Sequence, residues 1–425
     1  MLADVMHRLA GEGTVRFSAY DGSTAGPDEA PVHFEVASPR AFAHLVRAPG
    51  QIGLARAFVD GEINVHGDMY TLLRELQEPH FKRLSKADWK QLAGEATRHA
   101  RQRAQRPPEE AKLRGLRHSK RRDAAAISHH YDVSNRFYEL VLGPSMTYTC
   151  AVFPREDASL EEAQHEKHDL VARKLALRPG MRLLDVGCGW GGMVIHAARH
   201  YGVRALGVTL SRAQAEWAQE AIEEAGLADL AEVRYLDYRD VAESDFDAIS
   251  SIGLTEHIGK ANLVGYFQSL YGKLRPGGRL LNHCIMRPRN TDPRVKKRGF
   301  INRYVFPDGE LMGLGHIVRV MQDEGRFEVR HEENLREHYG KTLAAWTANL
   351  NANWDECVAE AGERKARIWR LYMPGCQLAF ERDEIQLHQV LAVRTEAGDS
   401  GMALRPNWEA ATPEPAPSEP VAPAS

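Results

Sequence analysis

Leu183-Leu184-Asp185-Val186-Gly187-Cys188-Gly189-Trp190-Gly191-Gly192 carries an apolar strand into a glycine-rich turn that opens a helix. After a buried strand, glycines let the backbone turn sharply and let a ligand approach where a Cβ would collide. The glycines stand at 187, 189, 191 and 192 behind Asp185, and no Gly-Lys-Ser/Thr follows to hold phosphates. The spacing is therefore neither the dinucleotide nor the P-loop pattern. A short acid-then-glycine turn of this kind suits S-adenosylmethionine better than a pyrophosphate.

Strand-like apolar runs recur outward from this turn at 183–186, 205–209, 233–236, 248–252 and 279–282, each followed by a helix-like stretch. Such alternation predicts an α/β fold with a doubly wound, mostly parallel, Rossmann-like sheet. Its ligand would lie outside the carboxyl ends of the strands, where strand order reverses. Residues 1–80 alternate strand-like runs at 14–19 and 32–36 with helical ones at 41–46 and 70–76, which predicts a smaller amino-terminal α/β domain. Residues 81–122 form a linker rich in Arg and Lys, with an excess of roughly ten positive charges. It reads as a solvated helical linker or as a patch for anionic phospholipid headgroups, where each basic residue contributes on the order of 1 kcal/mol. The main domain spans 123–404, and 405–425, rich in Pro, Ala, Glu and Ser, is expected to be a disordered tail.

At 425 residues the chain has room for two domains, and 43% hydrophobic with 27% charged residues is ordinary for a globular protein. The net charge of -3 argues against wholesale nucleic-acid binding, so no nucleic-acid partner is expected. No apolar run is long enough to span a bilayer, and residues 1–12 lack the basic start and apolar stretch of a signal peptide. A cytoplasmic protein is the expectation. Cys150, Cys188, Cys284, Cys357 and Cys376 are odd in number and contain no Cys-x-x-Cys, which favours reduced thiols and gives no metal site.

The strand ends read as a cofactor pocket. Gly187 and Gly189 would pass the backbone under the ligand's methionine part, and Asp185 would order the turn. The second strand ends at Thr209-Leu210-Ser211, without the acid that often binds ribose hydroxyls; Thr209 and Gln214 can make neutral hydrogen bonds and Leu210 offers an apolar edge. After the third strand, Asp237-Tyr238-Arg239 supplies an acid and an aromatic face for an adenine ring. Upstream lie His129-His130-Tyr131-Asp132-Val133-Ser134-Asn135 and Met146-Thr147-Tyr148-Thr149-Cys150. Gly253-Leu254-Thr255-Glu256-His257-Ile258-Gly259 follows the fourth strand, and Asn282-His283-Cys284-Ile285 ends the fifth. Paired histidines beside acids invite a zinc reading, but no His-Glu-x-x-His appears. Glu256 reads as a buried, hydrogen-bonding carboxylate.

At these residues, and at Asn302-Arg303-Tyr304-Val305-Phe306-Pro307, the sequence resembles the cyclopropane-fatty-acyl-phospholipid synthase family, including the mycolic acid cyclopropane synthases. The likeness is close over residues 124–394 and looser over 1–80. It implies an S-adenosylmethionine-dependent methyltransferase that methylates the double bond of an unsaturated acyl chain in a membrane phospholipid. It also implies a place on the inner face of the cell membrane, against an anionic surface. Tyr148, Thr149, Gly187, Gly189, Thr209, Leu210, Gln214, Tyr238 and Arg239 match the family's cofactor positions. Cys150, Glu256, His283 and Tyr339, with the backbone of Ile285, match the group that holds a bicarbonate ion, which serves as base.

Methyl transfer to an alkene leaves a carbocation, which faces such as Tyr304, Phe306 or Tyr339 could stabilise. Loss of a proton from the new methyl closes a cyclopropane ring; a hydride shift followed by that loss leaves an exocyclic methylene. Thr255 stands where Phe commonly precedes the Glu-His pair, and Asn282 replaces an apolar residue before His283. These departures resemble the actinobacterial branch that makes 10-methylene and, with a separate flavin-dependent reductase, 10-methyl-branched stearate. Cyclopropanation is the alternative, and a methyltransferase of a soluble small molecule a remoter one. A homo-oligomer is compatible with the same reading.

Overall fold

The computed structural model describes residues 1–76, 80–99, 106–111, 115, 117–120, 122–123, 133–291 and 299–409. The His129-His130-Tyr131-Asp132 part of the upstream motif lies outside them.

The amino-terminal strands β1 (Val15–Ala19), β2 (Thr24–Ala25), β3 (Val32–Val36) and β4 (Ile63–Gly67) form a sheet in the order β2-β1-β3-β4. Only the central β1–β3 pair is parallel. Alternate residues of β1 are buried, as a half-covered sheet requires. Helices α1 (Leu2–Leu9), α2 (Arg40–Arg47), α3 (Gln51–Val59) and α4 (Met69–Glu75) accompany it, with Leu2, Val15, Phe17, Phe58 and Leu72 in one core.

The larger sheet contains β5 (Arg182–Val186), β6 (Arg204–Thr209), β7 (Ala231–Tyr235), β8 (Phe246–Ile252), β9 (Leu274–Met286), β10 (Glu328–Asn334) and β11 (Gln386–Val393). Their order is β10-β11-β9-β8-β5-β6-β7. β7 through β9 pair in parallel, while β11 inserts antiparallel between β9 and β10. Successive residues of β5 enter different cores, Leu183 on one side and Leu184 on the other, because both faces are covered. Strand order reverses between β5 and β8, so the crevice for a ligand opens at their carboxyl ends. The five expected strands are all present. β10 and β11 are additional, and β10 is a charged edge strand, Glu-Val-Arg-His-Glu-Glu-Asn, without an apolar run.

Helices α5 (Lys86–His99), α6 (Asn135–Leu142), α7 (Leu160–Leu175), α8 (Gly192–Tyr201), α9 (Arg212–Glu224), α10 (Thr255–Ile258) and α11 (Leu263–Lys273) precede β9. Then come α12 (Phe300–Tyr304), α13 (Leu314–Arg319), α14 (Arg336–Ala352), α15 (Trp354–Ala361) and α16 (Glu363–Glu381). The Ser159 hydroxyl and the Glu162 carboxylate form a capping box at the start of α7. α16 joins the two units: Arg367 donates to the carbonyls of Phe58 (3.1 Å) and Ile63 (3.3 Å) and to Asn64 Oδ1 (2.8 Å), and the Tyr70 hydroxyl donates to Glu381 (2.7 Å). Among the described residues no helix is long and apolar enough to cross a membrane.

Two segments differ from their sequence readings. Part of the basic stretch is neutralised internally: Arg117 and Arg122 converge on Asp308 at 3.3 and 2.7 Å, Arg117 reaches Glu310 at 2.6 Å, and Lys120 meets Asp240 at 2.5 Å. Buried Glu110 collects Arg56, Arg106 and Arg303. Charge excess in sequence does not reveal such pairing, because Asp240, Asp308 and Glu310 lie far along the chain and Glu110 draws two of its three arginines from outside the stretch. After Arg405, Trp408 packs against the body; its carbonyl accepts from Arg173 Nε at 2.8 Å and its ring meets His331. The rest of the expected tail, 410–425, lies outside the described residues.

Candidate active site

The glycine turn leaves β5 with Gly187, Gly189 and Gly191 at positive φ, where L side chains are strained. A Cβ on Gly187 would meet Leu254 at 3.2 Å, so this glycine admits the β8 loop; one on Gly189 would meet nothing within 4 Å. Gly189 is therefore the open floor of the turn. The buried Asp185 carboxylate accepts from the Ser250 hydroxyl at 2.6 Å, tying β5 to β8, and burial pushes its carboxyl up to about 6.

The other cofactor-side polar groups also satisfy one another. Thr209 Oγ1 donates to Gln214 Oε1 at 2.8 Å, which leaves Gln214 only its NH2 group to donate, and Leu210 is half-buried beside them. Asp237 accepts from Arg239 at Nε (2.8 Å) and Nη2 (2.6 Å) and from its backbone N–H (3.0 Å). Burial pushes the Asp237 carboxyl up, but the bonds and charge of Arg239 together hold it below the usual carboxylate range. The Tyr238 ring stands edge-on to Tyr266 at 5.2 Å, and the Arg239 guanidinium lies 5.5 Å from its centroid.

The segment from Met146 to Cys150 is clamped by α7. Gln164 Nε2 donates to the carbonyls of Thr147 (3.3 Å) and Thr149 (2.9 Å), and Lys167 Nζ donates to Thr149 Oγ1 (3.1 Å) and His168 Nε2 (2.8 Å). Burial holds the Lys167 ammonium down at about 7, against the opposing pull of Asp185 and Cys150. Gln164, Lys167 and His168 are polar residues at i, i+3 and i+4 on a helix face that also buries Ala163, Leu170 and Val171; that spacing was the signal available in sequence. The Asn135 side chain, at the start of α6, accepts from Trp190 Nε1 at 3.0 Å and anchors the upstream motif to the glycine turn.

Tyr148 heads an aromatic wall that single-segment reading could not assemble. Its hydroxyl donates to Tyr372 at 3.0 Å, and its ring lies 5.2 Å from Trp346 and 5.5 Å from Trp369. Tyr339 stacks 4.5 Å from Phe380, and Phe306 stands edge-on to Tyr372 at 6.1 Å. Tyr304 instead commits its hydroxyl to Glu110 at 3.1 Å.

Glu256 and Ile285 meet directly: the Ile285 N–H, expected to face a bound ion, donates to Glu256 Oε1 at 2.6 Å. Glu256 is 8% exposed, and burial pushes its carboxyl up to about 7 against that bond. Its Oε2 is buried with no partner among the described residues. His283 is in the same condition at Nε2. Lys174 Nζ donates to Gln389 Oε1 (2.7 Å), so the Gln389 amide turns its Nε2 to His283 Nδ1 (3.2 Å). A ring nitrogen that accepts leaves the proton on the other, so His283 Nε2 is a donor. Cys150 is fully buried, its thiol donates to the Ala151 carbonyl at 3.1 Å, and burial pushes its pKa far above the ordinary thiol range. Tyr339 is electrostatically coupled to Cys150 and Glu256, and the Lys167 charge reaches Cys150, Asp185 and His283.

The two residues that depart from the family pattern are partners. Thr255 Oγ1 donates to Asn282 Oδ1 at 2.5 Å, and Asn282 Nδ2 donates to Cys284 Sγ at 3.3 Å, all buried. They adjoin Glu256 and His283 in sequence; on β9 the Asn282 side chain shares its face with Cys284, and His283 takes the opposite face.

A parallel sheet with one antiparallel strand inserted near its edge, and a glycine turn at the switch point, define an S-adenosylmethionine-dependent methyltransferase. Residues 118–390 match the family model described as mycolic acid cyclopropane synthetase, and the chain belongs to that family. It is 54% identical over 412 residues to a probable fatty acid methyltransferase of Mycobacterium tuberculosis, covering 94% of this chain and 96% of that protein. It is 34% identical over 399 residues to the cyclopropane-fatty-acyl-phospholipid synthase of Escherichia coli K12, covering 92% and 94%. The structure of mycolic acid cyclopropane synthase CmaA1 complexed with SAH and CTAB superposes with a TM-score of 0.59 at 33% identity, covering 64% of this chain and 98% of that one. This protein is accordingly an S-adenosylmethionine-dependent fatty acid methyltransferase of the cyclopropane synthase family.

Proposed function

We propose that the enzyme methylates the double bond of an unsaturated acyl chain carried by a membrane phospholipid, with bicarbonate as base and a 10-methylene-branched chain as product. The observation that carries this reading is that Glu256 Oε2 on α10 and His283 Nε2 on β9, in two residues that match the family's ion-holding group, are buried without a partner among the described residues. An unsatisfied buried polar atom costs about 1–3 kcal/mol, so each of these atoms calls for a polar ligand.

S-Adenosylmethionine, when bound, supplies an electrophilic methyl group. The residues Tyr148, Thr149, Gly187, Gly189, Thr209, Leu210, Gln214, Tyr238 and Arg239 would hold it, with Asp185 and Asp237 ordering the turns. Because an alkene is a feeble nucleophile, the chain must be held in line and dry, and the rings of Tyr148, Trp346, Trp369 and Tyr372 provide an apolar wall for this. The same faces stabilise positive charge on the acyl chain.

Bicarbonate, when bound, supplies the base that takes the final proton. Glu256, fixed by the Ile285 N–H, would accept from the ion, and His283 and Tyr339 would donate to it. Cys150, with its thiol kept protonated by burial, is a wall of this cage rather than a nucleophile.

The Thr255–Asn282 pair supports the methylene product. An aromatic face at 255 would hold charge at one carbon; a hydroxyl–amide pair offers no such face, and the cation undergoes a hydride shift before the proton leaves. A separate flavin-dependent reductase would then saturate the methylene. The phospholipid substrate is supported by coverage: the E. coli phospholipid synthase aligns along the amino-terminal domain too, whereas CmaA1 covers 64% of the chain. Docking on the inner, anionic leaflet would use exposed Lys82, Lys86 and Lys90 with Trp89, rather than the paired Arg117 and Arg122.

The test is lipid analysis of a host rich in oleoyl phospholipids that expresses this chain alone. The expected result is acyl chains heavier by one CH2, with vinylidene protons by NMR. High-field ring protons instead would make the product a cyclopropane. Unchanged lipids, with soluble acceptors methylated in vitro, would overturn the reading.

A further inference from the structure

We propose that His165, His196 and His200 form a binding site for a divalent transition-metal ion of the zinc class, on the outer face of α7 and α8 and separate from the methyl-transfer site. One potential ligand atom from each ring lies within 4.8 Å of the other two. The ring centroids are 4.6 Å apart for His196–His200, 4.9 Å for His165–His196 and 5.3 Å for His165–His200. Imidazole is the donor shared by zinc, copper and nickel sites, and three such donors with a water in the fourth position make an ordinary tetrahedral zinc shell.

Local structure puts the three together. His196 and His200 stand one turn apart on α8 and so share a face, while His165 approaches from α7. His196 is buried and fixed, and the other two are exposed. Zinc–nitrogen bonds of about 2.0–2.1 Å place ligand nitrogens about 3.4 Å apart in a tetrahedron, so rings whose ligand atoms lie within 4.8 Å of one another need at most a small inward movement. The exposed His165 and His200 are the rings free to make that movement.

The surroundings suit a cation. Asp169 Oδ1 lies 3.4 Å from His196 Nε2 and also accepts from the Tyr201 hydroxyl at 2.7 Å, the carboxylate–histidine arrangement that orients metal-bound imidazoles. Asp169 and Glu166 both bond Arg173, so their negative charge is shared between that guanidinium and the histidines. The ion would cross-link α8, which begins at the glycine turn, to α7, which clamps Thr149 through Gln164 and Lys167.

Zinc titrated into metal-stripped, tag-free full-length protein, in competition with a chromophoric chelator, tests the site. The expected result is one zinc per chain, with a thermal midpoint that rises with zinc. In the His165→Ala/His200→Ala double variant, affinity should fall more than roughly 100-fold, beyond what loss of an outer-sphere partner costs. The single variant His200→Asn, which changes one exposed ring, should weaken binding in the same direction. Retained stoichiometric zinc in these variants, or no zinc bound by the parent at micromolar concentrations, would overturn the proposal.

Discussion

The two halves of the strand-end crevice are built on opposite principles. On the β5–β6–β7 side three pairs of polar side chains close on one another: Asp185 with Ser250, Thr209 with Gln214, Asp237 with Arg239. On the β8–β9 side, Glu256 Oε2 and His283 Nε2 are buried with no partner among the described residues. The first half is a cradle whose polar groups are fixed by one another; the second retains polar capacity that a ligand could complete. A cofactor common to many methyltransferases suits the first. A small anion held where water is excluded suits the second.

The sharpest way to break this contrast is Glu256→Gln. If Glu256 orients the base, turnover should fall by roughly 10²–10⁴-fold while cofactor affinity, measured by calorimetry, stays within error. The substitution also has a stability signature. The folded carboxyl is raised from 4.5 to about 7, so its contribution to stability is full below about 4.5 and is lost as pH rises through about 7. The thermal midpoint of the parent should therefore decline relative to the variant over that window. Parallel pH curves would show that the buried carboxylate is not the group responsible.

On the cradle side, Gly189→Ala and Gly187→Ala should separate ligand space from packing. Both place a Cβ at positive φ, a cost of about 1–2 kcal/mol, but only Gly187 presses on Leu254, at 3.2 Å. The Gly189 variant should fold and lose cofactor affinity, whereas the Gly187 variant should lose more stability. Equal cofactor affinity in parent and Gly189→Ala would remove that glycine from the binding surface.

A smaller effect is expected at the boundary between the halves. Thr255→Val or Asn282→Leu alone strands a buried partner and should destabilise by about 1–3 kcal/mol, while the double variant should cost less than the sum. Thr255→Phe/Asn282→Leu should move the product toward cyclopropane, read by NMR of extracted lipids. An unchanged product would separate this pair from product choice. The smallest effects belong to the surface: replacing Lys82, Lys86 and Lys90 with Glu should weaken co-sedimentation with anionic vesicles by about 1 kcal/mol per position, and salt should mimic it. Reversing Arg117 and Arg122 should instead lower the thermal midpoint, because they hold Asp308.

The same contrast governs what the sequence disclosed. The cradle is local: a strand, a glycine turn and the next strand end are contiguous, and Asp185 to Gly192 announce both fold and cofactor class. The base side was legible only through family resemblance, since Cys150, Glu256, His283 and Tyr339 come from separate segments. What stayed hidden depended on distant partners. Gln389 orients His283 from β11, a strand not expected, and Trp346, Trp369 and Tyr372 reach Tyr148 from α14 and α16. The pairing of Thr255 with Asn282 was invisible, although both residues stood out singly. In the basic stretch, counting charges overstated the free positive surface, because the neutralising acids at 240, 308 and 310 lie more than a hundred residues downstream.

The central claim, that the unpartnered half of the crevice is completed by a bound anion acting as base, is tested most directly by carbonate control. The parent enzyme is assayed on oleoyl phospholipid vesicles in buffer freed of dissolved carbonate, and bicarbonate is then restored. The account predicts a large fall in turnover without carbonate, recovery in the parent on adding bicarbonate, and far weaker recovery in Glu256→Gln. A rate indifferent to carbonate would contradict it.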